Sequence, residues 1–123
     1  MIDESFYTIR NRQECAPLHI VHAVAFNHEH EIFKAHFPDN PIVPGVCCVE
    51  IVRQMVGDML GADMRISVVK NLKFISLMTP AADKVFSFDV DVAENSENQY
   101  SVKVTIAHDG TVMTKMSLMC HKS

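Results

Sequence analysis

The chain lacks the features that mark several common classes of protein. No apolar stretch among its 123 residues is long enough to span a bilayer. Its formal net charge of −4 combines charges of both signs, so no basic face indicates nucleic acid as a partner. The first residues show neither a basic n-region nor an apolar h-region, so we expect a cytoplasmic protein without membrane insertion. Internal repeats, low-complexity segments and linkers are also lacking.

The four cysteines are not spaced like the ligands of a zinc site. Cys47 and Cys48 are adjacent, so on a helix they point about 100° apart. Free thiols are the simplest interpretation, and the alternative is a nucleophilic Cys47 near a helix N-terminus, where the pKa of a thiol falls. His28, Glu29 and His30 are a further candidate metal group, but no other ligands follow at a suitable spacing. We therefore expect a polar turn there and no metal.

The chain does have enough apolar material for one core. Hydrophobic residues make up 48% of it, and its length suits a single domain covering residues 1–123. Pro38, Pro41 and Pro44 fix φ and lack an amide donor, so residues 37–44 are predicted to be a stiff extended loop. From Val46 onward apolar residues return at spacings of three and four, which predicts a helix over 46–60 that stops at Gly61.

That predicted helix has a wide apolar arc and one polar stripe, formed by Glu50, Arg53, Gln54, Gly57 and Asp58. Period-two patterns predict strands around it, over residues 18–26, 65–78, 84–93, 100–106 and 112–120, with 6–9 a short strand candidate. The remaining predictions are a one-turn helix or turn at 28–35, a polar loop at 94–98 and a hairpin turn at Asp109-Gly110. Strands in succession after one helix favour an α+β fold, in which an antiparallel sheet curls around the helix.

The central segment resembles the signature of the (3R)-hydroxyacyl-acyl-carrier-protein dehydratases of the FabA/FabZ type. The resemblance is carried by His36-Phe37-Pro38, Pro41 and Pro44-Gly45-Val46, followed by Glu50, Gln54 and Gly57. The step from His36 to Glu50 matches the family's catalytic pair, and a glutamate at the second position resembles the FabZ branch. The likeness extends more weakly over residues 24–78. It implies a hot-dog fold, in which a curved antiparallel sheet wraps a long central helix.

The resemblance also implies a homodimer with two shared active sites, in which His36 of one chain meets Glu50 of the other. A trimer of dimers is the larger assembly that we consider. The catalytic residues would be His36, Glu50 and Gly45, and the substrate-binding residues would be Phe37, Pro44, Val46, Gln54 and Phe74. No cofactor is implied, since the substrate is carried on the phosphopantetheine of acyl carrier protein. That partner is acidic, so we expect a basic landing site, with candidates Lys34, Arg65, Lys70 and Lys73.

These residue types suit the dehydration of a 3-hydroxyacyl thioester to a trans-2-enoyl thioester. His36 titrates near neutral pH and can take the α-proton. Gly45, at the helix N-terminus, can present its amide to the thioester oxygen without a side chain in the way. Glu50 can protonate the departing hydroxyl only if burial raises its pKa towards neutral.

Some positions depart from the family pattern and leave other functions open. The segment before the first strand lacks the family's usual N-terminal stretch, Pro80-Ala81-Ala82-Asp83 replaces a common Pro-Gly-Asp, and Asn40 and Val43 replace more usual residues. The pathway therefore stays open between fatty acid synthesis and aryl-polyene or other secondary acyl synthesis. Two alternatives are a hot-dog thioesterase, in which Glu50 activates water, and a non-catalytic acyl-binding partner of a catalytic homologue.

Overall fold

The computed structural model describes residues 5–35, 39 and 41–123. In chain order its elements are β1 (Tyr7–Ala16), β2 (His19–Phe26), α1 (Glu31–Ala35), α2 (Gly45–Leu60), β3 (Met64–Phe74), β4 (Val85–Ser96), β5 (Gln99–His108) and β6 (Thr111–Lys122). The strands form one antiparallel sheet in the order β1-β2-β4-β5-β6-β3. This confirms the predicted α+β class and the hot-dog arrangement of sheet and helix. No helix in the described part of the chain is both long and apolar enough to cross a membrane.

The core lies between α2 and the concave face of the sheet. The helix contributes Cys47, Cys48, Ile51, Val52, Met55 and Val56, all of them buried. The alternation along β4 buries Phe86, Phe88, Val90 and Val92 against this face, as the period-two pattern predicts. The helix ends at Gly61, whose φ of 63° is left-handed and readily adopted by glycine. The prediction of a helix with its stop at Gly61 is confirmed, but Val46 lies on the outer side and is 76% exposed.

Several strand boundaries differ from the predicted ones. The predicted strand 6–9 is the start of a ten-residue edge strand, whose second half is exposed and carries little apolar pattern. The strand predicted over 65–78 ends at Phe74, because the amides of Ile75 and Ser76 both bond the Met113 carbonyl and break the ladder. The predicted loop 94–98 was wrong, since β4 continues through Ser96 before a tight turn.

The position of β3 in the sheet could not be inferred from strand succession. It pairs with β6, so it lies at the edge opposite β1 and far from β4, the next strand in the chain. Val68 and Val69 of this edge strand are 47% and 46% exposed. An edge strand with exposed apolar residues is an open template for pairing with a further strand. In a single chain, therefore, the sheet presents a surface suited to association.

A cluster of aromatic rings holds Phe6 and α1 against the sheet. Phe6 stacks on Phe33 of α1 with ring centroids 5.2 Å apart, and it meets Phe26 edge-to-face at 5.6 Å. Phe33 is 2% exposed. The ring of His30 packs on Phe6 and its Nδ1 accepts the Ile32 amide. The predicted turn at 28–30 is thus present, and His30 directly precedes α1. The last residue of α1 is Ala35, which directly precedes His36.

Gly57 gives a stability prediction that follows from its surroundings. A Cβ added there would lie 2.9 Å from the Ala62 carbonyl oxygen, which belongs to the backbone of the helix C-terminus. The obstacle is backbone, and the Ala62 amide is bonded to the Gly57 carbonyl, which holds this residue against the helix end. We expect Gly57→Ala to lower the free energy of unfolding by about 1–3 kcal/mol, as overpacking does. Urea unfolding measures this free energy. Asp58→Ala, a substitution of an exposed residue on the same helical turn, should lower the free energy of unfolding much less.

Candidate active site

The first part of the candidate site is the N-terminus of α2 and the extended segment before it. The Val43 amide donates to the Met78 carbonyl at 2.8 Å, which ties this segment to the chain that leaves β3. Pro44 stands at the N-cap in an extended conformation, and none of the described side chains caps the helix. The first-turn amides of a helix have no intrahelical partner and carry partial positive charge. This end of α2 can therefore stabilise a developing oxyanion.

An apolar cleft of about 280 Å³ opens beside this helix N-terminus. It is lined by Ile42, Val43, Pro44, Gly45, Phe74, Ser76, Leu77, Met78 and Thr114. The Phe74 ring lies so close to Gly45 that a Cβ there would overlap ring atom Cζ. Phe74 and Leu77 are 52% and 65% exposed, so the outer wall of the cleft is open to solvent in one chain. The cleft can hold an extended apolar group.

The second part of the candidate site is the polar face of α2, centred on Glu50. Arg53 holds this carboxylate in a two-point ion pair, with Nε to Oε1 at 2.7 Å and Nη2 to Oε2 at 2.6 Å. The third guanidinium nitrogen, Nη1, donates to the Met64 carbonyl at 3.1 Å and to Asp63 at 3.3 Å. Such two-point pairs fix the direction of a carboxylate as well as its charge.

A hydrogen-bond chain approaches Glu50 from its other side. The amide nitrogen of Gln54 donates to Glu50 Oε2 at 3.0 Å. The Tyr7 hydroxyl, on the edge strand β1, donates to the Gln54 side-chain oxygen at 2.6 Å. Burial raises the pKa of Tyr7, and the negative charges of Asp58 and Glu50 add to the rise, so the phenol stays protonated and able to donate. Gln54, which the family resemblance implies as a substrate-binding residue, thus contacts the Glu50 carboxylate in the structure.

The charge state of Glu50 differs from the expectation for a general acid. The hydrogen bond from Arg53 lowers the pKa of Glu50 below the ordinary carboxyl value. Desolvation raises this pKa, whereas the hydrogen bond from Gln54 and the positive charge of Arg53 lower it further. The Glu50 side chain is 34% exposed, so burial is too slight to prevail. The rise in pKa that an acid needs is not found in the single chain. Glu50 is a carboxylate near neutral pH, fixed in place and reachable from solvent.

The structure brings the predicted site residues together in two groups. Pro44, Gly45 and Phe74 meet at the apolar cleft, and Glu50 meets Gln54 on the polar face. Glu50 lies five positions after Gly45 on the helix, which places the two residues about 140° apart around the axis and about 7.5 Å apart along it. Val46 points outwards at 76% exposure and belongs to neither group. His36 and Phe37 lie outside the described residues.

Cys47 does not have the surroundings of a nucleophile. It is 6% exposed and faces the core, and burial raises its pKa above the ordinary thiol value. Its neighbour Cys48 is 1% exposed, and burial raises the pKa of that thiol to about 12. A thiolate is the reactive form of cysteine, so these thiols are inert core residues. The alternative of a catalytic Cys47 was wrong.

Sequence reasoning missed the roles of Arg53 and Tyr7. The Arg53–Glu50 pair could have been found, since residues three apart on a helix are neighbours and an arginine at that spacing can pair with a carboxylate. Tyr7 lies 47 residues before Gln54, and no local pattern links them. Their contact depends on β1 folding as the sheet edge beside the polar face of α2.

The chain is similar to dehydratases in sequence. A family model described as ApeI-like, ApeI dehydratase, matches residues 10–116. The 3-hydroxyacyl-[acyl-carrier-protein] dehydratase FabZ of Aromatoleum aromaticum is 30% identical over 98 residues, which cover 72% of this chain and 66% of the relative. FabZ of Helicobacter pylori is 32% identical over 94 residues, covering 72% of this chain and 54% of the relative. The chain thus spans between about half and two thirds of the length of these relatives.

Solved structures show the same fold at low sequence identity. A chain of the dehydratase heterocomplex ApeI:P from Xenorhabdus doucetiae superposes with a TM-score of 0.78 at 16% identity, covering 94% of this chain and 97% of that one. A hypothetical thioesterase from Streptococcus pneumoniae, solved with coenzyme A, gives a TM-score of 0.68 at 13% identity and covers 98% and 89%. At these identities the likeness concerns the fold alone.

Proposed function

The chain belongs to the ApeI-like dehydratase family, and we propose that it removes water from a (3R)-hydroxyacyl group carried by acyl carrier protein. The product is the trans-2-enoyl thioester. The observation that carries this proposal is the Glu50 carboxyl group, held in a fixed direction on the polar face of α2 by Arg53 and Gln54. Glu50 stands fourteen residues after His36, the spacing of the catalytic pair in the family that the sequence resembles.

In the proposed mechanism His36 removes the α-proton and the electrons of the C–H bond form the new double bond. Charge that develops on the thioester oxygen is stabilised by the Gly45 amide at the N-terminus of α2. The bond to the 3-hydroxyl breaks, and that group leaves as water after taking a proton from Glu50. Because Glu50 rests as a carboxylate, it must first take up a proton. The proton that His36 holds at the end of a turnover can pass to Glu50, which leaves His36 neutral and Glu50 protonated for the next turnover.

We propose that the site is completed by a second copy of the chain. The apolar cleft at Gly45 and the carboxylate of Glu50 lie on different sides of α2, so one substrate does not reach both within a single chain. A two-fold axis can bring the cleft of one subunit to the polar face of the other. The exposed edge of β3 supports this association, since strand pairing across it would cover Val68 and Val69.

Acyl carrier protein is the partner that delivers the substrate in this proposal. The candidate landing residues Lys34, Arg65, Lys70 and Lys73 are all exposed. Lys73 lies opposite Lys115 in the β3–β6 ladder, which concentrates positive charge beside the cleft residue Phe74. An acidic carrier is attracted to such a pair, and the attraction acts mainly on the rate of encounter.

A thioesterase activity is the second candidate function, and the charge of Glu50 favours it. An ionised carboxylate can accept a proton from water, which then attacks the thioester carbonyl and releases free acid and thiol. The ApeI:P heterocomplex suggests a third arrangement, in which the chain pairs with a catalytic homologue. The His36–Glu50 pair opposes a purely non-catalytic role, because both catalytic residue types are present at the family spacing.

Product analysis separates these functions. The purified chain is incubated with acyl carrier proteins that carry 3-hydroxyacyl groups of different length, aliphatic and aryl, and the carrier is weighed by intact mass spectrometry. We expect a loss of one water from the acyl-carrier mass. Loss of the whole acyl group, with free carrier thiol, would replace the proposal by a thioesterase. An unchanged carrier mass, restored to conversion only by a homologue, would indicate the partner role.

A further inference from the structure

Glu50 is held by more hydrogen bonds than an ion pair at a protein surface usually has. Exposed pairs three residues apart on a helix hold a carboxylate weakly and in many geometries. Here the carboxylate accepts from two residues on α2, and each of those is itself held by another element: Arg53 by the Met64 carbonyl and Asp63, Gln54 by Tyr7 of β1. The inference drawn from this set rests on the proposed function.

We propose that Arg53 and the Tyr7–Gln54 pair are positioning residues that let Glu50 pass between carboxylate and carboxylic acid without leaving its place. Arg53 stabilises the resting carboxylate and must loosen its hold before Glu50 can act as an acid. Tyr7 and Gln54 keep the carboxyl group in position while that happens. Arg53 and Tyr7 act through Glu50, and neither is assigned a contact with substrate.

The anchoring of Arg53 allows this loosening. Arg53 Nε and Nη2 donate hydrogen bonds to Glu50, while Nη1 donates to the Met64 carbonyl at 3.1 Å and to Asp63 at 3.3 Å. If Glu50 takes up a proton, the guanidinium loses its charged partner on one side but keeps two acceptors on the other. Arg53 therefore remains beside the site, ready to close the pair again when Glu50 gives up its proton.

The Tyr7–Gln54 pair can serve both forms of Glu50. A carboxylate needs a donor, so the Gln54 nitrogen faces it and the Gln54 oxygen accepts from Tyr7, as the structure shows. A carboxylic acid can instead donate to the Gln54 oxygen, and the turned amide nitrogen can then donate to the Tyr7 oxygen. A phenol suits this exchange because it both donates and accepts. Phenylalanine at position 7 could do neither.

The surroundings place other charges near this set. On α2 these are Arg53 and Asp58, on β1 Arg12 lies close to Tyr7, and the segment between α2 and β3 contributes Asp63. Arg53 alone among them bonds Glu50 directly within the described part of the chain. Removing the guanidinium takes away the bond that favours the carboxylate. The pKa of Glu50 should then rise, and the protonated form should persist to higher pH.

A carboxyl titration of the full chain by carbon-13 NMR tests the role of Arg53 without any substrate, with Glu50→Gln to assign the signal. In Arg53→Met the midpoint of Glu50 should move upward, and in Arg53→Lys by less, since lysine cannot form the two-point pair. Arg65→Met is the matched control, because Arg65 is exposed, bonds Ser123 and does not touch Glu50. A Glu50 midpoint unmoved in both Arg53 variants overturns the inference.

Kinetics complete the test. The limb of the kcat/KM profile on which activity rises with pH should move to higher pH in Arg53→Met, because that limb reports the group with the lower pKa, which is Glu50. Tyr7→Phe should lower kcat by roughly 2- to 10-fold, the effect of one hydrogen bond, with KM little changed. Tyr100→Phe, at the only other tyrosine, should leave kcat unchanged. Equal losses in the two tyrosine variants would overturn the role of Tyr7. Failure of wild-type protein to form enoyl product would overturn the proposed function instead, and the titration would still stand.

Discussion

A mixture of two inactive variants is expected to recover activity. His36→Ala removes the proposed base and Glu50→Gln removes the proposed acid, so each should lower the rate of enoyl formation by on the order of 10²–10⁴-fold. When the two variants are co-expressed and pair at random, half of the dimers are mixed. In a mixed dimer, His36 of one subunit and Glu50 of the other form one intact site. The mixture should therefore show about a quarter of wild-type activity.

The recovery depends on the two residues being donated by opposite subunits. If His36 and Glu50 of the same chain formed the site, neither chain of a mixed dimer would carry both residues and the mixture would stay inactive. Co-expression of His36→Ala with itself under two different tags is the control for handling and pairing. Size-exclusion chromatography with light scattering checks that each variant keeps the assembly of the wild type. A monomeric wild-type protein would contradict the shared site directly.

The elements that form the core could be predicted from the sequence. Three prolines followed by apolar residues at helical spacing located α2 to within one residue at its start. The alternating residues of 84–93 correctly predicted which face of β4 is buried. Both patterns arise from burial of one side of an element, which leaves a periodic record in the sequence. The Asp109-Gly110 turn was likewise predictable, because few residue pairs adopt the positive φ angles of a tight hairpin.

The parts that could not be predicted depend on contacts between distant segments. The second half of β1 is an exposed edge, so its sequence carries no apolar alternation. β3 pairs with β6 and not with β4, the strand that follows it in the chain. The sequence analysis made the acid role of Glu50 conditional on burial that raises its pKa, while in the single chain Arg53 one turn away provides an ion pair that lowers this pKa. The sequence showed both residues but not which effect is larger.

Gly45→Ala is expected to separate activity from stability. The added methyl would meet the Phe74 ring, but the atom that it meets is the tip of a half-exposed side chain, which can swing outwards. Unfolding by urea should therefore change little, in contrast to Gly57→Ala, where the obstacle is backbone. Enoyl formation should fall on the order of 10²-fold, because the methyl stands beside the amide proposed to face the thioester oxygen and shifts the substrate from it.

The double variant Gly45→Ala/Phe74→Ala shows which of two effects causes that loss. With the ring removed, the methyl at position 45 loses its three nearest neighbours among the described residues, which are all Phe74 ring atoms, so any defect that arose from a displaced Phe74 disappears. We expect kcat of the double variant to stay as low as in Gly45→Ala, since the methyl still stands beside the helix N-terminus. Phe74→Ala alone should mainly raise KM, because it removes one wall of the apolar cleft. Recovery of kcat in the double variant to the Phe74→Ala level would mean that Gly45 only makes room for the ring, and the amide would lose its place in the mechanism.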